Sequence, residues 1–414
     1  MRRRRVKQAA LLISMAALAV SYAPARGDEY SFAQVERGRY LAAAGDCQSC
    51  HTARDGTPFA GGRPIETPFG VVYSANITPD RANGIGAWSS DEFYRALHEG
   101  ISANGAHLYP AFPYPWYTKV TRADADAIYA YLKTLDPVDS KPPPTALDWP
   151  LNYRFVMAGW NELFFHPGTF EPDAGKSPEW NRGAYLVQGL GHCGACHTPM
   201  NTFGASERGR FLHGADLQNW YAPSLTGDLR SGLGNWSKDD IAAFLKTGRN
   251  AKTLAYGPMA EVIRYSTSQL SDADLSAVAT YLKDMPAAQP QQQPQKPSQQ
   301  LTRSGEAIYA DACSACHRMN GEGVPGTFPA LKGDAVAQSS DASSVVHLIL
   351  RGGRAVATDA RPTPFAMPAF GWKLSDEEIA AVTTYIRSAW GNAAPAVSAD
   401  FVHSVRDATQ ASSE

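Results

Sequence analysis

Three short runs of the sequence share one pattern: two cysteines separated by two residues and followed at once by a histidine. They are Cys47–His51, Cys193–His197 and Cys313–His317. The pattern Cys-x-x-Cys-His is typical of covalent attachment of c-type haem. The two thiols lie along one edge of a helical turn and add to the porphyrin vinyl groups, while the histidine faces the iron. Each run therefore predicts one covalently bound haem c, three in the chain.

The number of cysteines favours this interpretation over two others. A single run of this kind is also compatible with a zinc half-site or a thioredoxin-like redox pair. The three runs, however, use all six cysteines, so none remains for a disulfide or a fourth zinc ligand: Cys47, Cys50, Cys193, Cys196, Cys313 and Cys316. We therefore expect His51, His197 and His317 to be the proximal iron ligands.

A haem that carries electrons in the low-spin state needs a sixth iron ligand, and methionine is the common choice because its soft thioether favours reduced iron. Met259 is predicted on a glycine-proline loop 62 residues after His197, and Met367 on a loop 50 residues after His317. Both segments precede the last helix of their repeat. We predict them as the distal ligands of the second and third haems, with a buried core methionine as the alternative for each.

The first repeat departs from this pattern. Its matching position, 61 residues after His51, is Phe112, which has no lone pair to donate. The first haem is therefore five-coordinate, or it is bound by His107 or His98, or by Met157 from outside the repeat. His107 is the preferred substitute because it lies nearest to the expected segment, and a solvent-facing loop histidine is its alternative. His98 follows Leu97 on a predicted helix and is expected to be structural.

The elements that position these residues recur with the motifs. Each repeat begins with a helix carrying a glycine at a corresponding place, namely Gly38, Gly183 and Gly305. Such a glycine allows a second helix to cross closely. Each repeat ends with an amphipathic helix, predicted over residues 124–135, 271–282 and 375–386. Ser89 and Ser237, each with an acid three residues later, are typical of helix starts.

Loops after the haem runs contain a carbonyl group that can hold the histidine ring. In c-type cytochromes a proline carbonyl at this place commonly accepts the hydrogen bond from the second ring nitrogen of the proximal histidine, which fixes the ring and makes it more basic. Pro223 and Pro329 occupy the matching positions in the second and third repeats, and Ala75 occupies it in the first.

The pattern predicts an all-α fold of three tandem cytochrome c-like haem domains wrapped by loops. The first residues combine basic, short apolar and small-x-small stretches, which predicts a secretory signal peptide and a periplasmic, at most peripherally membrane-attached, mature chain.

A proline- and glutamine-rich linker over residues 286–300 makes the third unit look mechanically separable. The predicted segments are a signal peptide (1–25), unit one (30–136), a linker and docking segment (137–178), unit two (179–285), a second linker (286–300), unit three (301–392) and a tail (393–414). A net charge of -2 gives no indication of a nucleic-acid partner.

On these motifs the chain resembles the triple-haem cytochrome c subunit of bacterial membrane-bound dehydrogenases acting on alcohol, gluconate, fructose or sorbitol. Besides the haem runs, the resemblance is carried by residues 76–80, 105–111, 159–161 and 388–392. It implies a partner subunit that oxidises substrate on flavin or pyrroloquinoline quinone. It also implies transfer of the electrons to membrane ubiquinone or a terminal oxidase. Phe112 stands where these subunits usually have methionine, and similar sequences with phenylalanine accompany molybdenum hydroxylases.

Three functions are compatible with these sequence features. The first is an electron-transfer subunit with no substrate chemistry of its own, since no nucleotide-binding fingerprint or nucleophile motif is present. The second is a peroxidase-like enzyme working at an open first haem, suggested by Phe112. The third is a soluble electron shuttle without a fixed partner. The first is favoured because the redox chemistry belongs to the three haems.

Overall fold

Three helical units follow one another along the chain. A computed structural model describes residues 30–217, 219–287, 295–359 and 361–411. The predicted signal peptide and part of the second linker lie outside these residues. The helices of unit one are α1 (Phe32–Ala44), α2 (Cys47–Cys50), α3 (Ser90–Glu99), α4 (Tyr114–Tyr117) and α5 (Arg122–Leu132). A further helix, α6 (Val156–Phe164), lies in the predicted docking segment.

Units two and three repeat the arrangement with local differences. Unit two contains α7 (Pro178–Tyr185), α8 (Gly194–His197), α9 (Lys238–Thr247), α10 (Gly257–Tyr265) and α11 (Asp272–Lys283). A π-helical turn over Leu186–Leu190 extends α7, and 3-10 turns cover Arg208–Arg210 and Thr267–Gln269. Unit three contains α12 (Gln299–Ala312), α13 (Ser314–His317), α14 (Ser343–Arg351), α15 (Asp376–Ser388) and α16 (Ala399–Ala411).

Helices are the main regular secondary structure, but the chain also contains short strands that the all-α prediction omitted. Antiparallel strands β1 (Pro64–Thr67), β2 (Gly70–Tyr73) and β3 (Ala146–Leu147) form one sheet in that order. Two further antiparallel pairs are β4 (Ala215–Leu217) with β5 (Trp220–Ala222), and β6 (Gly353–Arg354) with β7 (Ala366–Met367). Strands of two to four residues are too short to give a periodic signal in sequence, which explains the omission.

The predicted helix starts are present as capping boxes. The Ser89 hydroxyl accepts a hydrogen bond from the Glu92 backbone N–H, and the Glu92 carboxylate accepts one from the Ser89 N–H. Ser237 and Asp240 form the same reciprocal pair at the start of α9. Each box satisfies two backbone donors that a helix end leaves unpaired.

The three repeated glycines lie where the first and last helices of a unit cross. A Cβ atom added to Gly38 would lie 1.8 Å from the carbonyl oxygen of Ala127 in α5. The corresponding distance is 1.9 Å from Gly183 to Ala277 and 2.1 Å from Gly305 to Ala381. No side chain fits at these distances, so the close-packing role predicted for the glycines is confirmed.

Units one and two share one continuous apolar core, to which residues such as Leu41, Leu132, Leu186 and Leu282 contribute. Two matching polar clusters flank it. Asp124 of unit one accepts a hydrogen bond from the Tyr185 hydroxyl of unit two at 2.6 Å. Reciprocally, Asp274 of unit two accepts one from the Tyr40 hydroxyl of unit one at 2.6 Å. Equivalent residues thus exchange roles, as expected for two similar units related by an approximate two-fold axis.

Unit three has its own core, yet it contacts unit two directly. The Trp220 ring stacks on the His347 ring with centroids 3.9 Å apart. The backbone N–H of Tyr221 donates to the Ser344 hydroxyl at 2.8 Å. Arg249 donates to the carbonyl oxygen of Gly326 at 2.9 Å. Unit three is therefore in direct contact with unit two, which the composition of the linker did not indicate. The contacts join residues far apart in sequence, and the composition of a linker does not indicate whether such contacts form.

The segment predicted as a tail, residues 393–414, includes helix α16. Its Val402 and Val405 side chains are buried in the core of unit three. Arg406 also donates a hydrogen bond to Asp376 at the start of α15 at 2.7 Å. The apolar side of α16 is thus a packing face, and the core of unit three includes residues beyond position 392.

Candidate haem-attachment sites

Each Cys-x-x-Cys-His run forms one helical turn directly after the first helix of its unit. The backbone N–H of His51 donates to the carbonyl oxygen of Cys47 at 3.0 Å. His197 and His317 repeat this bond with Cys193 and Cys313, also at 3.0 Å. Because residues three apart on a helix are neighbours, each turn places its two thiols side by side with the histidine following. This is the local geometry that thioether attachment requires.

None of the six cysteines forms a disulfide within the described chain. Burial raises the pKa of the Cys47 thiol to about 12 and that of Cys193 to about 11. These surroundings favour neutral sulfur, and a thioether is neutral. Zinc ligation, in contrast, requires thiolates. The electrostatics of the turns therefore fit covalent porphyrin attachment better than the zinc alternative.

A backbone carbonyl holds the ring of each candidate proximal histidine. The Nδ1 atom of His197 lies 2.7 Å from the Pro223 oxygen, and that of His317 lies 3.0 Å from the Pro329 oxygen. In unit one, His51 Nδ1 lies 2.6 Å from the Ala75 oxygen. A carbonyl can only accept, so Nδ1 carries the hydrogen and Nε2 keeps its lone pair. The predicted hydrogen bonds are thus present in all three units.

The protonation state of these histidines also suits iron ligation. Burial lowers the pKa of His51, His197 and His317, and the hydrogen bond to the carbonyl opposes that shift only in part. The imidazole rings therefore remain neutral down to lower pH than an exposed histidine. A neutral ring with a free Nε2 is the form that binds a metal.

The two candidate distal methionines are partly buried beside the cores of their units. Met367 lies on β7, where it pairs with Gly353. Met259 is the third residue of α10, not part of a loop as the glycine-proline pattern suggested. The reason is that Pro258 occupies the first turn of this helix, where its missing N–H costs nothing. Both side chains pack against apolar clusters.

At the first site, Phe112 packs against the Tyr117 ring, with centroids 5.4 Å apart. His107 Nδ1 lies 3.4 Å from the side-chain nitrogen of Asn161 in α6. Met157, also on α6, is buried. His107 and Met157 are thus both brought to the contact between unit one and the docking segment, and neither gains support as the sixth ligand over the other.

His98 has a structural environment. Its ring stacks on Tyr94 of the same helix, with centroids 5.0 Å apart and an interplanar angle of 15°. The Tyr94 hydroxyl lies 3.3 Å from His98 Nδ1. This arrangement agrees with the expectation that His98 is structural.

Sequence reasoning missed an ion pair that links the first two sites. Arg63 donates to the backbone oxygen of Ser49, inside the first haem run, at 2.8 Å. The same guanidinium pairs with Glu261 on α10 at 2.7 Å. Helix α10, which carries Met259, is thereby tied to the attachment turn of unit one. No local pattern could have indicated this pair, because its partners lie in different units.

The sequence matches known proteins over nearly all its length. A cytochrome c family model matches residues 35–136 and 303–390. The gluconate 2-dehydrogenase cytochrome c subunit of Pantoea cypripedii is 41% identical, with 94% of this chain and 92% of the relative aligned. The cytochrome c subunit of alcohol dehydrogenase (quinone) from Gluconobacter oxydans (strain 621H) is 39% identical over 96% of this chain and 87% of the relative. A nicotinate dehydrogenase subunit of Pseudomonas putida is 40% identical over 89% of this chain, and the match covers 31% of that protein.

Proposed function

The chain belongs to the family of cytochrome c subunits of dehydrogenases, and we propose that it passes electrons from a substrate-oxidising subunit to the membrane respiratory chain. One observation carries the proposal. A single turn occurs three times, each with two cysteine thiols and a histidine whose Nδ1 is held by a carbonyl. The acceptor in the membrane is ubiquinone or a terminal oxidase.

Covalently bound haem c supplies, at each turn, an iron that takes up and releases one electron. The chain supplies the environment. The cysteines fix the group in place, and the histidine presents Nε2 as a ligand. The hydrogen bond from Nδ1 to the carbonyl orients the ring and increases its basicity. The surrounding apolar cores exclude water. They thereby set the local dielectric, on which the redox potential of the iron depends.

The first two attachment turns lie at one interface. The Tyr117 hydroxyl donates to the carbonyl oxygen of Gly45, two residues before Cys47, at 2.6 Å. The same ring contacts the His192 ring, which directly precedes Cys193, with centroids 5.2 Å apart. A single residue thus bridges the approaches to both turns. This proximity supports direct electron exchange between the first and second sites.

We assign Met259 and Met367 as distal ligands of the second and third sites. Met367→Leu should lower the potential of one haem by on the order of 0.1 V, because the thioether stabilises reduced iron. It should also remove one sulfur-to-iron charge-transfer band. The measurement is a spectroelectrochemical titration of the holoprotein. Met319→Leu, a change at an exposed methionine near the same haem run, is the control. Unchanged potentials and bands in Met367→Leu would contradict the assignment.

The substrate-oxidising partner carries flavin, pyrroloquinoline quinone or molybdenum cofactor. Relatives from quinone-dependent alcohol oxidation and from nicotinate oxidation are similar to this chain to nearly the same degree. Affinity purification of the tagged chain from native membranes, followed by cofactor analysis, should therefore recover a dehydrogenase subunit. The substrate of that subunit should then reduce the haems only when the subunit is present. Purification without such a subunit would favour the soluble shuttle, and peroxide turnover by the isolated chain would favour the enzyme.

The docking segment offers a surface for peripheral attachment to the membrane. Among the described residues, no helix has the length and apolar character needed to cross a bilayer. Around α6, however, several large apolar side chains are exposed, including Trp149 at 80% and Phe155 at 73%. We call these exposed side chains the aromatic face: they are Trp149, Tyr153, Phe155 and Phe203, together with the aliphatic Leu163. Exposed aromatic and aliphatic groups of this kind favour the interface between lipid and water.

The same membrane preparation tests this surface. The double variant Phe155→Ser with Leu163→Ser should keep its haems and its partner but move from the membrane to the soluble fraction. Phe32→Ser, which removes an exposed aromatic from α1, is the matched control and should remain with the membrane. Retention of the double variant at the wild-type level would contradict attachment through the aromatic face.

A further inference from the structure

Asp46 is a buried acid that the electron-transfer account does not use. It lies between α1 and α2, directly before Cys47, with a left-handed backbone φ of 51°. Its residue exposure is only 6%, and its Oδ1 atom has no hydrogen-bond partner within the described chain. Buried polar atoms are normally satisfied, and an exception calls for a functional or structural reason.

The position of Asp46 relates it to two haem sites. On its own side it adjoins the first attachment turn, where the Ser49 hydroxyl donates to the Asp46 backbone oxygen at 3.1 Å. Across the interface it is close enough for its charge to raise the pKa of the Cys196 thiol in the second turn, in addition to the larger effect of burial. A charge on Asp46 is therefore felt at both turns.

The other ionisable groups around Asp46 leave its charge largely uncompensated. Arg63 is nearby, but it is already paired with Glu261 at 2.7 Å, so the two opposite charges act on Asp46 in opposite directions. Tyr117 is buried and donates its hydroxyl hydrogen to Gly45. The cysteine thiols become neutral thioethers on haem attachment. Within the described ranges, the ionisable groups that interact electrostatically with Asp46 are Cys47, Cys50, Arg63, Tyr117, Cys196 and Glu261. His192 lies nearby, against the Tyr117 ring.

Burial has a large effect on the acid itself. It raises the pKa of Asp46 from its ordinary value to about 8, with a smaller opposing contribution from the nearby Ser49 hydroxyl. An acid in this range changes protonation near neutral pH when the charge beside it changes by one. Oxidised iron carries one more positive charge than reduced iron, and it therefore favours the carboxylate form.

We propose that Asp46 binds one proton when a haem at the interface of units one and two is reduced, and releases it on oxidation. This inference depends on the proposed function, because it requires the covalent haems. The electron comes from the substrate-oxidising subunit, and the proton comes from water. The carboxylate becomes a carboxylic acid, and reoxidation reverses both changes. The residue is thus a proton-coupling group placed between two redox centres.

The sign of the pH dependence follows directly. Between the pKa of Asp46 with oxidised iron and its higher pKa with reduced iron, reduction takes up a proton, so the potential falls as pH rises. The limiting slope is about 59 mV per pH unit, the value for one proton and one electron. Below the lower pKa and above the higher pKa, Asp46 does not change protonation on reduction and its contribution is flat.

The test is a spectroelectrochemical titration of the holoprotein from about pH 6 to pH 10, a range that brackets the shifted acid. The haem content of the same preparation is measured first. Three covalent haems with a flat titration would then contradict only the role of Asp46, whereas fewer haems would contradict the proposed function. The wild type should show the sloping region for one of the first two haems.

Asp46→Asn should abolish the slope, since an amide does not titrate in this range, and asparagine tolerates a left-handed backbone. The matched control is Asp55→Asn, an exposed acid that also has a positive φ of 58° and follows the same haem run. This control should keep the wild-type slope. Persistence of the slope in Asp46→Asn would overturn the proposal.

A second measurement uses the wild type alone, so it does not depend on the folding of a variant. In a reduced-minus-oxidised infrared difference spectrum, the wild type should gain the C=O stretch of one protonated carboxylic acid on reduction. The absence of that band near the middle of the pH range would also overturn the proposal.

Discussion

Replacing both cysteines of the central run, by Cys193→Ala with Cys196→Ala, is expected to give a chain with two covalent haems instead of three. The physical reason is that each porphyrin is held by two thioethers from a single helical turn, and no other cysteine in the chain can substitute. Because unit two contacts both unit one and unit three, electron flow from the partner to the membrane should fall at least about tenfold. Covalent haem staining with intact-mass measurement checks the first result, and a quinone-reduction assay checks the second.

Ala195→Ser provides a matched control within the same turn. It introduces the residue that Ser49 already provides between the cysteines of the first run, and it should leave three haems and normal electron flow. Three covalent haems in the double cysteine variant would contradict the assignment of this turn. Undiminished electron flow with two haems would contradict its place in the relay.

The second large effect concerns the helix crossing in unit two. Gly183→Val should lower the free energy of unfolding by about 3 kcal/mol or more, because over-packing of a close-packed core has a cost of this order. The added Cβ alone would lie 1.9 Å from the backbone oxygen of Ala277, and backbone atoms cannot move aside as a flexible side chain can. Helices α7 and α11 would have to separate, opening the core shared with unit one. Urea denaturation of the holoprotein measures the change.

Gly159→Ala is the matched control for this substitution. Gly159 also lies inside a helix, α6, but a Cβ added there meets no atom within 4 Å. Since alanine favours a helix over glycine by about 1 kcal/mol, this variant should be as stable as the wild type or slightly more stable. Equal stability of Gly183→Val and the wild type would show that the crossing is looser than the structure indicates.

The features that were predictable from sequence are local and repeated. Gly183 stood at the same place in its unit as Gly38 and Gly305, and repetition identified a packing role that each glycine alone did not. Pro223 and Pro329 stood at matching places in the segments that follow their haem runs, so a hydrogen bond to each histidine could be anticipated. Ser89 and Ser237 marked helix starts through side chains acting within one turn.

The features that were not predictable depend on residues distant in sequence. The stack of Trp220 on His347 and the pairing of Arg63 with Glu261 have no local pattern that would indicate them. The same applies to Asp46, whose proximity to Cys196 of another unit has no local pattern either. The sixth ligand of the first haem remains a prediction for the same reason, because the segments around His107 and Met157 meet only in the fold.

The central claim is that three haems are attached at three defined turns, and the intact mass of the mature chain tests it most directly. We expect the mass of the chain plus three haem groups, with no thiol available for alkylation after denaturation. Peptide mapping should locate one haem on each of the segments Cys47–Cys50, Cys193–Cys196 and Cys313–Cys316. A smaller number of haems, or free thiols at any of these positions in fully matured protein, would contradict the account.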